Sequence, residues 1–128
     1  MSPHASCRVV HLELHTHDLE AASTFYRELL RWRTEQVESV WGSYHALALG
    51  GGLDGGIVSC RAGRPTWLPY VEVDDIVRTT ERAHRLGAAV LLEPREGPAG
   101  WRSVVRSSAA GEIALWQPKR RRLIGARG

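Results

Sequence analysis

The sequence is poor in the groups from which disulfide, membrane or phosphate-loop architectures are built. Its 128 residues hold only two cysteines, Cys7 and Cys60. They lack metal-like spacing, and neither has a sequence neighbour that would make it a nucleophile. In a reducing compartment both stay thiols. No apolar run approaches the roughly 20 residues needed to span a bilayer, and the opening MSPHASCR lacks the apolar core of a signal peptide. A cytoplasmic protein without a membrane partner is therefore expected. The glycine run GGGLDGG at 50–56 lacks the Gly-Lys-Ser/Thr ending and the following helix of a phosphate loop, so it reads as a flexible hairpin loop.

What is present is ordinary for a globular chain: 43% hydrophobic residues with mixed charge. The formal charge of +3 is unevenly placed. Lys119, Arg120, Arg121, Arg122 and Arg127 lie at the end, while residues 1–118 carry 12 basic against 14 acidic side chains. A mildly acidic body thus precedes a basic tail, 119–128. Without an accompanying motif the tail argues for a solvated end rather than a nucleic-acid partner. Were it to bind nucleic acid, binding would be steeply salt-dependent and lost on its deletion.

The organising stretch is VVHLELHTHDLEAASTFYRELLRW, Val9 to Trp32, read as a strand, a capped turn and an amphipathic helix. Aligning Asp18 with Asp75 repeats it about 57 residues later in LPYVEVDDIVRTTERAHRLG, Leu68 to Gly87. Along the first strand Val9, His11, Glu13 and His15 alternate with Val10, Leu12 and Leu14, so the polar set should line the face turned away from the helices. Asp18 caps the first helix; its face is Leu19, Ala22, Tyr26, Leu29 and Leu30, widened by Phe25 and closed by Trp32. Strands follow at Thr34–Val40, Ser43–Leu49 and Gly56–Cys60, with a linker at 61–65. The second half reads as strand Trp67–Val73, a helix capped by Asp74 or Asp75 with Ile76, Thr80, Ala83 and Leu86 inward and Gly87 as its stop, strand Ala89–Leu92 ended by Pro94, and a hairpin of Arg102–Arg106 and Glu112–Trp116. The fold class is α+β: two βαβββ modules, 8–60 and 66–118, in one domain.

The segments HTHDLEAASTFYRELLRW, WLPYVEVDDI and EIALWQP resemble the vicinal oxygen chelate superfamily, in particular its glyoxalase/bleomycin-resistance-like subgroup. The likeness covers about residues 8–118; it departs at a late turn, where the subgroup's Asp-Pro-x-Gly is replaced by Ser107-Ser108-Ala109-Ala110. It implies a curved mixed sheet around a cleft. It also implies, in glyoxalase-type enzymes, a divalent metal held by the first and last strands of each half. Transferred by position, those ligands fall on His11, Leu68, a residue within Gly56–Cys60 that is not His, Asp or Glu, and Ala114. Three of the four cannot ligate in that way. His11 with Glu13, or His15 with His17, could share an ion only with a third ligand from elsewhere, such as His45. No metal or other cofactor is expected; stoichiometric metal in protein purified without chelator would restore a metal-dependent lyase or dioxygenase reading.

The cleft residues expected are His11, Glu13 and His15 from the first strand, Leu68, Tyr70 and Glu72 from its counterpart, and Glu112, Ala114 and Trp116 from the last. His45 or Tyr44 would join from the middle strand. Trp41 and Trp101 are placed at a rim or gate. Five tryptophans and three tyrosines offer platforms for a planar ligand. The leading reading is a binder of the bleomycin-resistance type that sequesters an aromatic natural product or drug. The alternative is a metal-independent tailoring enzyme (isomerase, cyclase, dehydratase or epoxide-opening) in which Glu13, its pKa raised by burial, and His11 serve as acid and base. The resemblance implies a possible homodimer, which would give this short chain further apolar burial, although two modules in one chain could also close a cleft within a monomer.

Overall fold

A computed structural model describes residues 7–39, 42–51, 53–60 and 63–119. Trp41, most of the linker's start at 61–62, and the tail from 120 onward lie outside the described residues. The elements are β1 (Val9–Thr16), α1 (Leu19–Leu30), β2 (Arg33–Ser39), β3 (Gly42–Ala48), β4 (Asp54–Ser59), β5 (Thr66–Glu72), α2 (Ile76–Arg85), β6 (Ala89–Glu96), β7 (Gly100–Ser107) and β8 (Gly111–Pro118). The order is βαβββ twice over, α+β as the internal repeat requires. Two compact units are formed, Val9–Tyr70 and the described residues from Val71 onward with Cys7 and Arg8.

In the first unit the strand order is β2-β3-β4-β1-β5. β1 and β4 are parallel, with Glu13 opposite Gly56; β2, β3 and β4 form an antiparallel meander. The glycine run turns β3 into β4 through Gly50 and Gly51, both with positive φ, where a side chain would be strained. α1 starts at Asp18, whose Oδ1 accepts the Ala21 N–H at 3.0 Å. It packs Leu19, Ala22 and Tyr26 over a core of Leu14, Leu47 and Ile57. The helix is one turn shorter in its apolar face than its sequence periodicity suggests. Arg31 takes a left-handed conformation and ends it, so Trp32 leaves the helix and packs into the core beside Trp67. Phe25, Leu29 and Leu30 then point outward, 56%, 59% and 46% exposed. A stripe of apolar spacing cannot tell which of its edges the sheet will cover.

In the second unit β6, β7 and β8 form an antiparallel meander under α2. Asp75, not Asp74, is the cap: its Oδ1 accepts the Arg78 N–H at 3.1 Å. The Gln117 side chain takes the next free donor, Ile76 N–H, at 2.8 Å. Val73, Ile76, Val105 and Leu115 make the core. The buried Thr80 hydroxyl donates to the Ile76 carbonyl and is hydrogen-bonded to Ser103 at 2.8 Å, so this polar pair is satisfied. Leu86 caps the helix with its side chain 76% exposed, and Gly87 at φ 100 turns the chain away as a helix-stop glycine should. Pro94 does not end β6. The strand continues to Glu96, and register shifts between Leu92 and Arg95 absorb the missing N–H.

The two cap interactions on α2 make a direct test of this helix start. Asp75→Ala should lower stability by about 1 kcal/mol in urea unfolding, whereas Asp74→Ala should be close to neutral. Equal effects would mean that Asp75 is not the cap.

Candidate functional site

The alternation of β1 does what a half-buried strand must. Leu14 enters the hydrophobic core under α1, while His11, Glu13 and His15 project from the opposite face. β5 alternates likewise. Trp67 meets Tyr26 on the helix side, its indole N–H donating to the Tyr26 hydroxyl at 3.3 Å, and Leu68 and Tyr70 lie on the face of Glu13. Both are buried, at 3% and 7% exposure.

Three side chains converge on the Glu13 carboxylate. His15 Nε2 lies 2.8 Å from Oε1, the Tyr70 hydroxyl donates to the same oxygen at 2.9 Å, and His11 Nε2 lies 3.6 Å from Oε2. The His11 ring stands edge-on to Tyr70, centroids 5.0 Å apart. Glu13 is 16% exposed, and each histidine 27%. Burial is the largest single influence on Glu13 and raises its pKa. The close approach of His11, the hydrogen bonds from His15 and Tyr70, and the charge interaction of His15 together outweigh it and hold the carboxyl well below its usual range. The expectation of a raised pKa is thereby reversed. Burial and the shared face of His11, Glu13 and His15 were legible in the strand pattern; the hydrogen bond from Tyr70, 57 residues away, was not.

The register of β3 decides between Tyr44 and His45. Leu47 and His45 share the helix side, where His45 is buried and its Nε2 lies 3.7 Å from Glu20 of α1. Its Nδ1 is buried without a hydrogen-bond partner among the described residues. Tyr44 is on the face of His11: a Cβ built on Gly56 would lie 3.7 Å from both Tyr44 Cδ2 and His11 Cε1. His45 thus lies across the sheet from the Glu13 cluster and cannot supply a third ligand beside His11. The signal was present in the parity of His45 with Leu47 and Leu49.

In the second unit Trp101 also lies on the helix side, packed against the core under α2, with Lys119 Nζ 5.8 Å from its ring. It is not on the face of Ala114 and Trp116. On that other face the paired positions are Arg102 with Trp116, Val104 with Ala114, and Arg106 with Glu112. Ala114 is fully buried and Trp116 partly so. Arg102 and Arg106 share that face, and the alternation Trp-Arg-Ser-Val-Val-Arg could have revealed them. Glu72 is half-buried, and its N–H donates to the Arg8 carbonyl at 3.0 Å. The aromatic side chains of the first unit gather mainly on the helix side. There Phe25, Tyr26 and Trp67, with Thr16, His17 and Asp18, line a groove of about 510 Å³.

The four positions that would hold a metal in glyoxalase-type enzymes do not fit one. Leu68 and Ala114 are buried hydrocarbon, the β4 position beside His11 is Gly56, and His11 alone offers a lone pair. Among the described residues no group of three or more His, Cys, Asp or Glu is arranged to hold an ion.

The fold defines the class. It is shared with methylmalonyl-CoA epimerase from Mycobacterium tuberculosis at TM-score 0.67 and 16% identity, over 98% of this chain and 97% of that one. A hypothetical protein from Bacillus halodurans matches at TM-score 0.67 and 12% identity, over 89% and 96%. A methylmalonyl-CoA epimerase in complex with methylmalonyl-CoA and ammonium matches at 0.61 and 17%, over 90% and 96%. At such identities the likeness is one of fold. Residues 8–36 match the family described as bleomycin resistance protein-like N-terminal. That match and the shared fold are what liken this chain to proteins of the glyoxalase/bleomycin-resistance kind within the vicinal oxygen chelate superfamily. No curated protein matches the chain.

Proposed function

We propose that this protein binds a small organic molecule against the polar face of β1 and β5, at His11, Glu13, His15, Tyr44, Leu68 and Tyr70, without a resident metal. The observation that carries this reading is the convergence of two imidazoles and a phenol on one partly buried carboxylate, on the face the hydrophobic core does not use. A core has no need of such a cluster, and its assembly costs desolvation that a mere surface would avoid. The rings of Tyr44 and Tyr70 suit an aromatic natural product or drug, and the acidic centre suits one bearing an amine or several hydroxyls. Sequestration of the bleomycin-resistance kind is the role this supports, in a cytoplasmic setting consistent with two free cysteines. No helix among the described residues is long and apolar enough to cross a membrane.

The test is a thermal-shift screen of planar aromatic amines and polyphenols, followed by titration of the hits. Tyr44→Ala should weaken a hit at least tenfold while its circular dichroism stays native. If no compound raises the melting temperature, or if hits bind Tyr44→Ala unchanged, this site is not the binding site.

A metal-independent enzyme is the second reading, favoured by the His15–Glu13 contact at 2.8 Å. Because Glu13 is held ionised, the proton carrier in that reading is a histidine, and Glu13 orients it. The epimerase relatives with this fold lend that reading support. Under it, a hit incubated in deuterium oxide should be converted or should gain deuterium. His15→Gln should stop this while leaving affinity within a few-fold. Unlabelled, unchanged ligand leaves the binder.

A further inference from the structure

We infer that His15 meets the bound molecule through an unprotonated Nδ1, so that the site selects ligands presenting an O–H or N–H donor there, with Glu13 as the residue that positions the ring. This rests on the reading that the polar face of β1 is the binding site. One carboxylate oxygen, Oε1, takes both the Tyr70 hydroxyl at 2.9 Å and His15 Nε2 at 2.8 Å. An ionised carboxylate only accepts, so both partners must donate to it. A neutral imidazole that donates from Nε2 carries its lone pair on Nδ1.

That nitrogen is left for a ligand. His15 Nδ1 has no hydrogen-bond partner among the described residues, and it is not among the buried unsatisfied atoms. The ring is 27% exposed. The second imidazole steadies the arrangement, since His11 Nε2 approaches the other carboxylate oxygen and its ring is wedged between Tyr70 and the bare backbone at Gly56. A ligand atom at Nδ1 must therefore supply the hydrogen. A phenol, amide N–H or protonated amine qualifies, and an ether or ester oxygen does not.

The tautomer is read directly from ring nitrogen-15 shifts of the full chain near pH 8. His15 should be protonated on Nε2. In Glu13→Gln the neutral amide no longer singles out that nitrogen, and the Nδ1–H tautomer should rise to a comparable share. An Nδ1–H tautomer in the native protein, or no change in the variant, overturns the inference. Selectivity is read with 2-naphthol and its methyl ether: the naphthol should bind at least tenfold more tightly, and the preference should vanish in His15→Phe. Equal binding of the two probes sinks the inference but leaves the binding site standing. If neither binds, the binding reading fails for small aromatics, and the nitrogen shifts still decide the tautomer.

Discussion

Glu13→Ala should unfold at markedly lower urea than the native protein at pH 7, a loss of about 3 kcal/mol. The carboxylate is the common acceptor for the Tyr70 hydroxyl and the His15 ring and lies beside His11. Hydrogen bonds to a charged group contribute roughly 1.5–3 kcal/mol each, and partners left behind without an acceptor add to the cost. Partial exposure of the histidines lets water replace some of it, which keeps the total near one strong bond's worth. The pH dependence carries a definite sign. Folding holds the Glu13 carboxyl well below its usual range, so its contribution is complete above the unfolded value of about 4.3. It is lost as pH falls through the lower, folded value. The difference between native and variant should therefore be constant near neutrality and begin to shrink below about pH 4. Urea melts at pH 7, 5 and 3 check this. A gap that is the same at pH 3 as at pH 7 would show that Glu13 is not held as an anion.

Gly100→Ala should destabilise the second unit by about 3 kcal/mol. The glycine pairs with Pro118 in the β7–β8 ladder and is buried. A Cβ there would run into the Gln117 carbonyl oxygen, and would come within 2.9 Å of Pro118 Cα and of the Trp116 ring edge. The first two are backbone atoms and cannot swing aside, so the strand pair must part. Gly63→Ala is the control: its Cβ would meet nothing within 4 Å among the described residues, and its effect should be a few tenths of a kcal/mol. The urea midpoint should fall with an unchanged slope for Gly100→Ala and scarcely move for Gly63→Ala. A stable Gly100→Ala protein would mean that β7 and β8 do not approach as closely as the pairing requires.

The residues near Glu13 show how far a reading of the chain can go. The alternation of β1 placed His11, Glu13 and His15 on one face and Leu14 on the other, because side-chain direction in a strand is a matter of parity alone. Parity was equally available for His45 and Trp101. It was left unused there: Leu47 and Leu49 mark the face of His45, and Trp101 falls one residue before the strand read from the sequence at Arg102. Likewise, the 57-residue offset that pairs Asp18 with Asp75 located both helix starts through their caps. It left the helix ends and the packed edge of α1 open, since spacing gives a stripe but not its width.

Local rules written into the chain thus determined that the strand–helix–strand order occurs twice, where the helices begin, and that a leucine and an alanine stand at two positions where the resemblance would put metal ligands. Tertiary structure decided the rest: that Tyr70 and two histidines close on a single carboxylate, that this carboxylate stays charged, and that Trp101, expected at a rim or gate, packs beneath a helix. The reason is physical. A pKa is the sum of opposing influences from atoms distant in sequence, and a face is chosen by what covers it, so neither is a property of the segment that carries it.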